Sequence, residues 1–307
     1  MTASRADAGE PGETPTDATR AVSGALRRTN HAGRSVTLAE GVAVAGGAAI
    51  VLAARGLRAD ALAVAAVGGL GLADDVLEPW LRSRGITPTK GLRGHLGALR
   101  RGRLTTGAAK ALGIPVVCLL DAAAARARTA SGVGPHTATS TGADALPAGA
   151  GDLAGALVDT GVAAGAANLA NLLDLRPGRA LKATTACALV LAVPPARSPR
   201  AQEGRTLAVI AALAGLAALP GDLAERGMLG DTGANALGAL VGAAAARRLP
   251  AGPRLLVLGG LGALTLASER VSFSAVIDAT PALRRLDRWG RRAAAPEQVG
   301  DEGSTPS

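Results

Sequence analysis

Residues 230–246 read GDTGANALGALVGAAAA, a stretch whose single charged residue, Asp231, stands near its start. Small and aliphatic residues with no polar face are typical of a helix that is surrounded by apolar groups. Seven further windows without Asp, Glu, Lys or Arg follow the same pattern, at residues 41–54, 61–73, 111–120, 160–173, 183–196, 206–221 and 255–268. The sequence therefore predicts a bundle of apolar helices.

None of these windows reaches the roughly 20 apolar residues that span a bilayer. Each approaches that length when a charged residue near one end is placed at the interface, as Glu40, Lys110 and Asp159 would be. Gly and Ala let helices approach closely in lipid. We predict an all-α, polytopic membrane helical bundle with about eight transmembrane helices, at residues 36–54, 59–76, 105–124, 153–173, 180–196, 205–220, 232–247 and 254–270.

The basic residues indicate the orientation of this bundle. If the helices alternate in direction, one side carries 23 of the 33 Lys and Arg residues and the other side carries 10. The positive-inside rule places the richer side, with both termini, in the cytoplasm. We therefore predict a multi-pass protein of the inner (cytoplasmic) membrane.

Composition divides the chain further. Residues 1–30 lack periodicity and are predicted to be a disordered cytoplasmic tail, followed by a transmembrane domain over residues 31–270. Residues 129–152 are predicted to form a flexible outer loop. Residues 271–307 are predicted to be a cytoplasmic tail, in which residues 279–292 form an amphipathic piece that lies on the membrane or in solvent.

The composition also excludes several function classes. Aromatic residues make up only 1% of the chain, which excludes modules that stack nucleobases on aromatic side chains despite the net charge of +9. Cys118 and Cys187 are the only cysteines, so neither a disulfide framework nor a cysteine zinc site can form. We therefore expect no nucleic-acid partner.

Three clusters of carboxyl and amide side chains lie at the predicted cytoplasmic ends of helices. They are Asp74-Asp75, the run Asn168-Leu-Ala-Asn171-Leu-Leu-Asp174, and Asp231. Each has an ordinary structural interpretation as a helix cap, an interfacial charge or an interhelical hydrogen bond. Their convergence on one membrane face, beside the predicted basic cytoplasmic loop of residues 77–104, instead favours Mg²⁺ and phosphate chemistry, because Mg²⁺ prefers hard oxygen ligands.

Five segments carry a resemblance to a known family. They are Arg28 to Thr37, Gly71 to Asp75, Lys90-Gly91-Leu92, Asn168 to Asp174 as N-x-x-N-x-x-D, and Leu229 to Gly233, which contains G-D-x-G. In these segments the chain resembles the polyprenyl-phosphate N-acetylhexosamine-1-phosphate transferases, which include phospho-N-acetylmuramoyl-pentapeptide transferase.

The resemblance implies a Mg²⁺-dependent enzyme of cell-wall (peptidoglycan) synthesis at the cytoplasmic membrane face. It would transfer an N-acetylhexosamine 1-phosphate from a UDP-amino sugar to a polyprenyl phosphate lipid and release UMP. The implied site residues are catalytic Asp74, Asp75 and Asp231, with Asp74 and Asp75 as base or nucleophile, substrate-binding Asn168, Asn171 and Lys90, and the Mg²⁺ ligands Asp231 and Asp174.

The chain also departs from the family pattern. Glu78 replaces a lysine, Pro177 stands where the family has a second carboxylate, and the family's histidine cluster is missing. These departures support an alternative, in which a catalytically degenerate member binds the lipid carrier or acts as a membrane scaffold. A small transporter is a third interpretation, disfavoured because the ionisable groups lie at helix ends. A homodimer is left open.

Overall fold

A computed structural model of the 307-residue chain describes residues 26–30, 33–85, 105–131 and 150–292, together with Gly24, Gly97 and Arg101. In this part of the chain, two short antiparallel strands, β1 (Arg27–Thr29) and β2 (Ser35–Thr37), precede the helices. The helices are α1 (Ala39–Ala54), α2 (Arg58–Ser83), α3 (Thr106–Ala130), α4 (Ala150–Leu173), α5 (Arg179–Ala192), α6 (Pro199–Leu223), α7 (Gly230–Arg248), α8 (Ala251–Ser268), α9 (Phe273–Ala279) and α10 (Pro281–Arg288).

The predicted all-α class is confirmed. Seven of the apolar windows lie wholly within one helix each. The eighth, residues 183–196, extends past the end of α5 at Ala192, because Pro194 and Pro195 cannot continue a helix.

Several helices are longer than predicted, because charged residues continue them beyond the apolar windows. The helix α2 runs to Ser83, although its predicted end is residue 76. The helix α6 begins at Pro199, where the Ser198 side chain accepts a hydrogen bond from the backbone of Ala201 at 3.2 Å. A Ser N-cap followed by Pro is a common start for a helix, and it outweighs the charged residues that follow.

Strands and helices extend into both segments that were predicted to lack regular structure, the tail of residues 1–30 and the loop of residues 129–152. The strand β1 falls inside the predicted tail of residues 1–30, and residues 1–23 lie outside the described residues. The helices α3 and α4 extend into the predicted loop of residues 129–152, whose residues 132–149 are not described.

The helix α7 lies at the centre of the bundle and packs against α1, α2, α4, α5 and α6. Almost all of its residues are buried. On its α4 side, a side chain at Gly238 would come within 2.6 Å of the Ala166 carbonyl oxygen, and one at Gly242 within 2.6 Å of the Ala163 Cα atom. Small residues therefore allow α7 and α4 to pack backbone against backbone.

The outer faces of the bundle are apolar. Four described helices, α3, α4, α6 and α8, are long and apolar enough to cross a membrane. Large aliphatic side chains point outward, including Ile50 (71% exposed), Leu62 (71%), Val193 (77%) and Leu256 (78%). Exposed apolar surface of this extent marks contact with lipid rather than water. The chain is a helical membrane protein with multiple candidate spans.

Charged side chains gather at the two ends of the bundle. One, here the Asp231 end, holds Asp74, Asp75, Lys110 and Asp231, with Asp174 close by. The other, here the far end, holds a network of carboxylates and arginines formed by Asp60, Asp121, Asp159, Glu203, Arg126, Arg128, Arg200, Arg247 and Arg254.

The segment after α8 folds back onto the start of α5. Arg179 donates to Asp287 at 2.8 Å, and Lys182 donates to the carbonyl oxygens of Leu286, Asp287 and Trp289. Burial alone would raise the pKa of Asp287, but the hydrogen bond from Arg179 and the nearby charges hold it below its usual value. The predicted amphipathic piece is therefore docked on the protein through one ion pair and several hydrogen bonds.

Candidate active site

The backbone around Asp231 is held in place from a second helix. The Asp75 carboxylate on α2 accepts hydrogen bonds from the backbone N–H of Asp231 (3.2 Å) and Thr232 (3.0 Å), and from the Thr232 hydroxyl (2.8 Å). The first N–H groups of a helix have no partner within the helix and attract negative charge. Asp75 therefore acts as a cap for α7, which fixes Asp231 relative to α2.

Gly71 allows this approach of α2 to α7. A side chain at residue 71 would overlap with the carbonyl group of Asp231, which lies directly against the Gly71 backbone. Gly230, the first residue of α7, has a φ of 58°, in the left-handed region that favours glycine. The glycines of the G-D-x-G stretch and of Gly71 to Asp75 thus have a specific packing role.

Lys110 on α3 lies between two of the predicted catalytic carboxylates. Its ammonium group contacts Asp74 at 2.8 Å and also bonds to Asp231. Asp74 is buried, and the Lys110 side chain is only 17% exposed. Three helices therefore bring one cation and two carboxylates together where little water screens the attraction between the charges.

Sequence reasoning missed Lys110 as a member of this cluster, because an interfacial position near the start of α3 explained it sufficiently. The one available signal was the pair Thr106 and Lys110, which share a face of α3 one turn apart. That spacing alone could not have identified Asp74 and Asp231 as the partners.

Asp174 follows α4 and lies near Asp231. Burial raises the pKa of Asp174 well above its usual value, and the charges of Asp222 and Asp231 raise it further, while the Gly230 backbone amide opposes the shift. Among the described residues, the Oδ2 atom of Asp174 is buried and has no hydrogen-bond partner. The raised pKa favours the protonated form, so a cation that binds this oxygen would take the place of the proton.

The structure describes two of the three predicted substrate-binding residues, Asn168 and Asn171. Asn168 donates a hydrogen bond to the Thr265 hydroxyl on α8 at 3.1 Å, so it has a partner between helices. Asn171 is half-buried one turn further along α4. Lys90 lies outside the described residues. The structure therefore gathers Asp74, Asp75 and Asp231, but engages Asn168 with α8.

A cavity of about 350 Å³ opens beside Asp174. Its wall consists of the strands at the N-terminal side, the 174–177 turn, the segment before α7 and the start of α9, with the residues Thr29, Asn30, Val36, Asp174, Leu175, Arg176, Pro177, Asp222, Glu225, Gly227, Met228 and Ser274. This volume lies in the range of small-molecule sites. Arg176 supplies the cationic group of the wall, and Asp278 on α9 pairs with it at 3.4 Å.

The fit of Mg²⁺ can be tested on the side chains. Carboxylate oxygens are the ligands that Mg²⁺ prefers, and the unpartnered Asp174 oxygen fits that preference. However, Asp74 and Asp231 converge on the ammonium group of Lys110. In the described part of the chain, no three His, Cys, Asp or Glu side chains are grouped to hold one metal ion. The carboxylate oxygens are therefore of the chemical type that Mg²⁺ prefers. The position between Asp74 and Asp231, however, is occupied by the Lys110 ammonium group.

Comparisons of the chain with protein-family models, with curated proteins and with solved structures find no match.

Proposed function

We propose that this chain is a Mg²⁺-dependent transferase that moves an N-acetylhexosamine 1-phosphate from a UDP-sugar to a polyprenyl phosphate. The observation that carries the proposal is the meeting of Asp74, Lys110 and Asp231 from three helices, with Asp75 capping α7 beside them. Phosphoryl transfer needs grouped charges of both signs, which position the phosphates and stabilise the charge that develops on them.

In this proposal the helices α1 to α8 all span the inner membrane, and the Asp231 end with both termini faces the cytoplasm. Support comes from the distribution of 23 against 10 basic residues, from the outward-facing aliphatic side chains, and from the separation of the charged groups into two ends. The central α7, at 19 residues, is nearly long enough to cross a bilayer core of about 30 Å.

The UDP-sugar would enter the cavity beside Asp174, and the lipid phosphate would approach from the bilayer. Arg176 in the cavity wall would pair with the diphosphate. Asp231 and Asp174 would hold Mg²⁺, which when bound supplies positive charge to the diphosphate. Ser274 on α9 also lines the cavity, so the segment after α8 would complete the substrate site.

The protein groups would then work as follows. Lys110 offsets part of the negative charge of Asp74 and Asp231 and would contact the lipid phosphate, while Asp75 keeps the start of α7 in place. Asp74 takes the proton of the lipid phosphate. A lipid phosphate oxygen forms a bond to the sugar-bearing phosphorus, the bond from that phosphorus to the bridging oxygen breaks, and UMP leaves with that oxygen.

The test is UMP release by the purified full-length chain in detergent, with UDP-amino sugars, polyprenyl phosphate and Mg²⁺. We expect Asp231→Asn to lower the rate by about 10³-fold or more, a typical loss when a charge-stabilising group is removed. The matched control is Asp278→Asn, at the half-exposed partner of Arg176, for which we expect a smaller loss. A folded wild-type chain that releases no UMP with any of these substrates contradicts the proposal.

One observation favours the alternative, a degenerate member that binds the lipid carrier or scaffolds partners. Lys110 sits where Asp74 and Asp231 converge, and a lysine in that position can bind a lipid phosphate without any reaction. In that case Asp231→Asn leaves the cellular phenotype intact, whereas Lys110→Met weakens retention of polyprenyl phosphate.

A further inference from the structure

Three arginines from three helices converge on one carboxylate at the far end of the bundle. Asp159 on α4 is contacted by Arg126 of α3 at 2.8 Å, Arg200 of α6 at 2.6 Å and Arg254 of α8 at 3.1 Å. The Asp159 side chain is 4% exposed, whereas the three arginine side chains are 16–19% exposed. The arginines therefore extend from a buried centre to the surface.

This cluster carries more positive than negative charge. One carboxylate faces three guanidinium groups, and the next nearest, Asp152, lies 4.0 Å from Arg126 and is 55% exposed. In the neighbouring part of the far end, Arg128 and Arg247 face the three carboxylates of Asp60, Asp121 and Glu203, so both arginines are already paired there. Around Asp159 itself, the local excess of positive charge can attract an anion.

The arginines also retain unused hydrogen-bond donors. In the described structure the Nε atom of Arg254 is buried without a partner. Arg200 and Arg254 also donate hydrogen bonds to the Ala246 carbonyl oxygen, at 3.4 and 3.1 Å. Each guanidinium has five N–H donors, so one carboxylate and one carbonyl group leave several donors of this trio available to water or to a bound anion.

The residues around the three arginines leave space for the guanidinium groups at the edge of the bundle. A side chain at Gly155, one turn before Asp159, would overlap with the guanidinium group of Arg126. Beside Arg254, the side chains of Leu255 and Leu256 are 54% and 78% exposed. An arginine next to outward-facing leucines near a helix end is the usual arrangement at the headgroup level of a bilayer.

We propose that Arg126, Arg200 and Arg254 form a binding site for the phosphate group of an anionic lipid at the far end of the bundle. The guanidinium fork matches phosphate oxygens in pairs, which makes arginine the preferred residue for phosphate recognition. The exposed Leu255 and Leu256 would contact the acyl chains. This site is separate from the Asp231 end and does not depend on the proposed transferase activity.

The experiment measures lipid retained by the full-length chain in detergent after incubation with phosphatidylglycerol, and with zwitterionic phosphatidylcholine as reference. We expect the wild type to retain phosphatidylglycerol selectively and Arg254→Gln to lower the retention about tenfold, as expected when one charge-assisted contact is lost. Arg55→Gln, an exposed arginine at the same end outside the cluster, is the matched control and should retain the lipid like the wild type. Equal retention by the wild type, Arg254→Gln and Arg55→Gln overturns the proposal.

A second variant tests the sign of the effect. Asp159→Asn removes the carboxylate that competes with the anion, so we expect the retention of phosphatidylglycerol to rise several-fold. A purely structural ion cluster predicts no rise, and unchanged or lower retention in this variant overturns the site. If Arg254→Gln does not fold, Arg126→Lys takes its place, because lysine keeps the charge and loses the paired geometry.

Inorganic phosphate distinguishes the two sources of the phosphate group. If the lipid is the ligand, phosphate at millimolar concentration displaces little phosphatidylglycerol. If free phosphate raises the melting temperature of the wild type but not of Arg254→Gln, and no lipid is retained, the site binds phosphate from solution. If Arg254→Gln changes neither the retention of phosphatidylglycerol nor the effect of phosphate on the melting temperature, the arginines serve only the fold and the proposal fails.

Discussion

The two ends of the bundle use charge in opposite ways. At the far end, each of the carboxylates Asp60, Asp121, Asp159 and Glu203 meets at least one arginine. At the Asp231 end, two aspartates share one lysine, Asp75 bonds to backbone N–H groups, and an oxygen of Asp174 is buried without a partner among the described residues. Asp121 at the far end also keeps one buried oxygen without a hydrogen-bond partner, but its other oxygen pairs with Arg247. Asp174 forms no ion pair among the described residues, which makes it the better candidate for a cation ligand.

The largest effect is expected at the far end. Arg247 is 3% exposed and faces Asp60, Asp121 and Glu203, so Arg247→Met leaves buried carboxylates without their main partner. We expect the free energy of unfolding to fall by about 3–5 kcal/mol. Denaturation of the purified chain in micelles measures it, with the exposed Arg58→Met as the control. A loss no larger than that of Arg58→Met would mean that the far end does not hold the helices together.

A smaller effect is expected where α2 meets α7. Gly71→Ala places a methyl group against the Asp231 backbone, whereas nothing lies within 4 Å of the corresponding position at Gly69. We expect Gly71→Ala to cost about 1–3 kcal/mol, as overpacking does, and to lower any activity that depends on Asp231. Gly69→Ala should be neutral in both assays. Similar behaviour of the two variants would show that the contact between α2 and the start of α7 is not tight.

The smallest effect is expected for the amide at Asn168. Its hydrogen bond to Thr265 joins α4 to α8, and Asn168→Ala should cost about 0.6 kcal/mol, the average for such bonds in membrane helices. UMP release should change by less than threefold, which corresponds to about 0.6 kcal/mol. A loss of activity far beyond the loss of stability would instead assign Asn168 to the substrate, as the N-x-x-N-x-x-D spacing predicts.

The helices were readable from the sequence because each apolar window is bounded by charges or prolines. The pairing of α2 with the start of α7 was partly readable, since Asp74, Asp75 and Asp231 fall at helix ends of the same predicted side. The sequence does not show which residue each charged side chain contacts. Asp75 looks like a catalytic group, yet its carboxylate caps α7 through Thr232.

The far-end network was not predicted at all. Asp159 looks like a single interfacial charge in the sequence, and its three arginines come from positions 33, 41 and 95 residues away. Distances along the chain carry no information about such contacts, because the packing of α3 and α8 against α4, and of α6 against α7, decides them. Lys110 was missed for the same reason, since its partners lie on α2 and α7.

The most direct measurement of the difference between the two ends is a calorimetric titration of Mg²⁺ into the full-length chain in micelles. Under-paired carboxylates at the Asp231 end predict saturable binding to the wild type and to Asp159→Asn, and loss of binding in Asp231→Asn and Asp174→Asn, all with unchanged helix content. No Mg²⁺ binding by the wild type, or equal binding by all four proteins, would contradict the assignment of a cation-dependent site to Asp231 and Asp174.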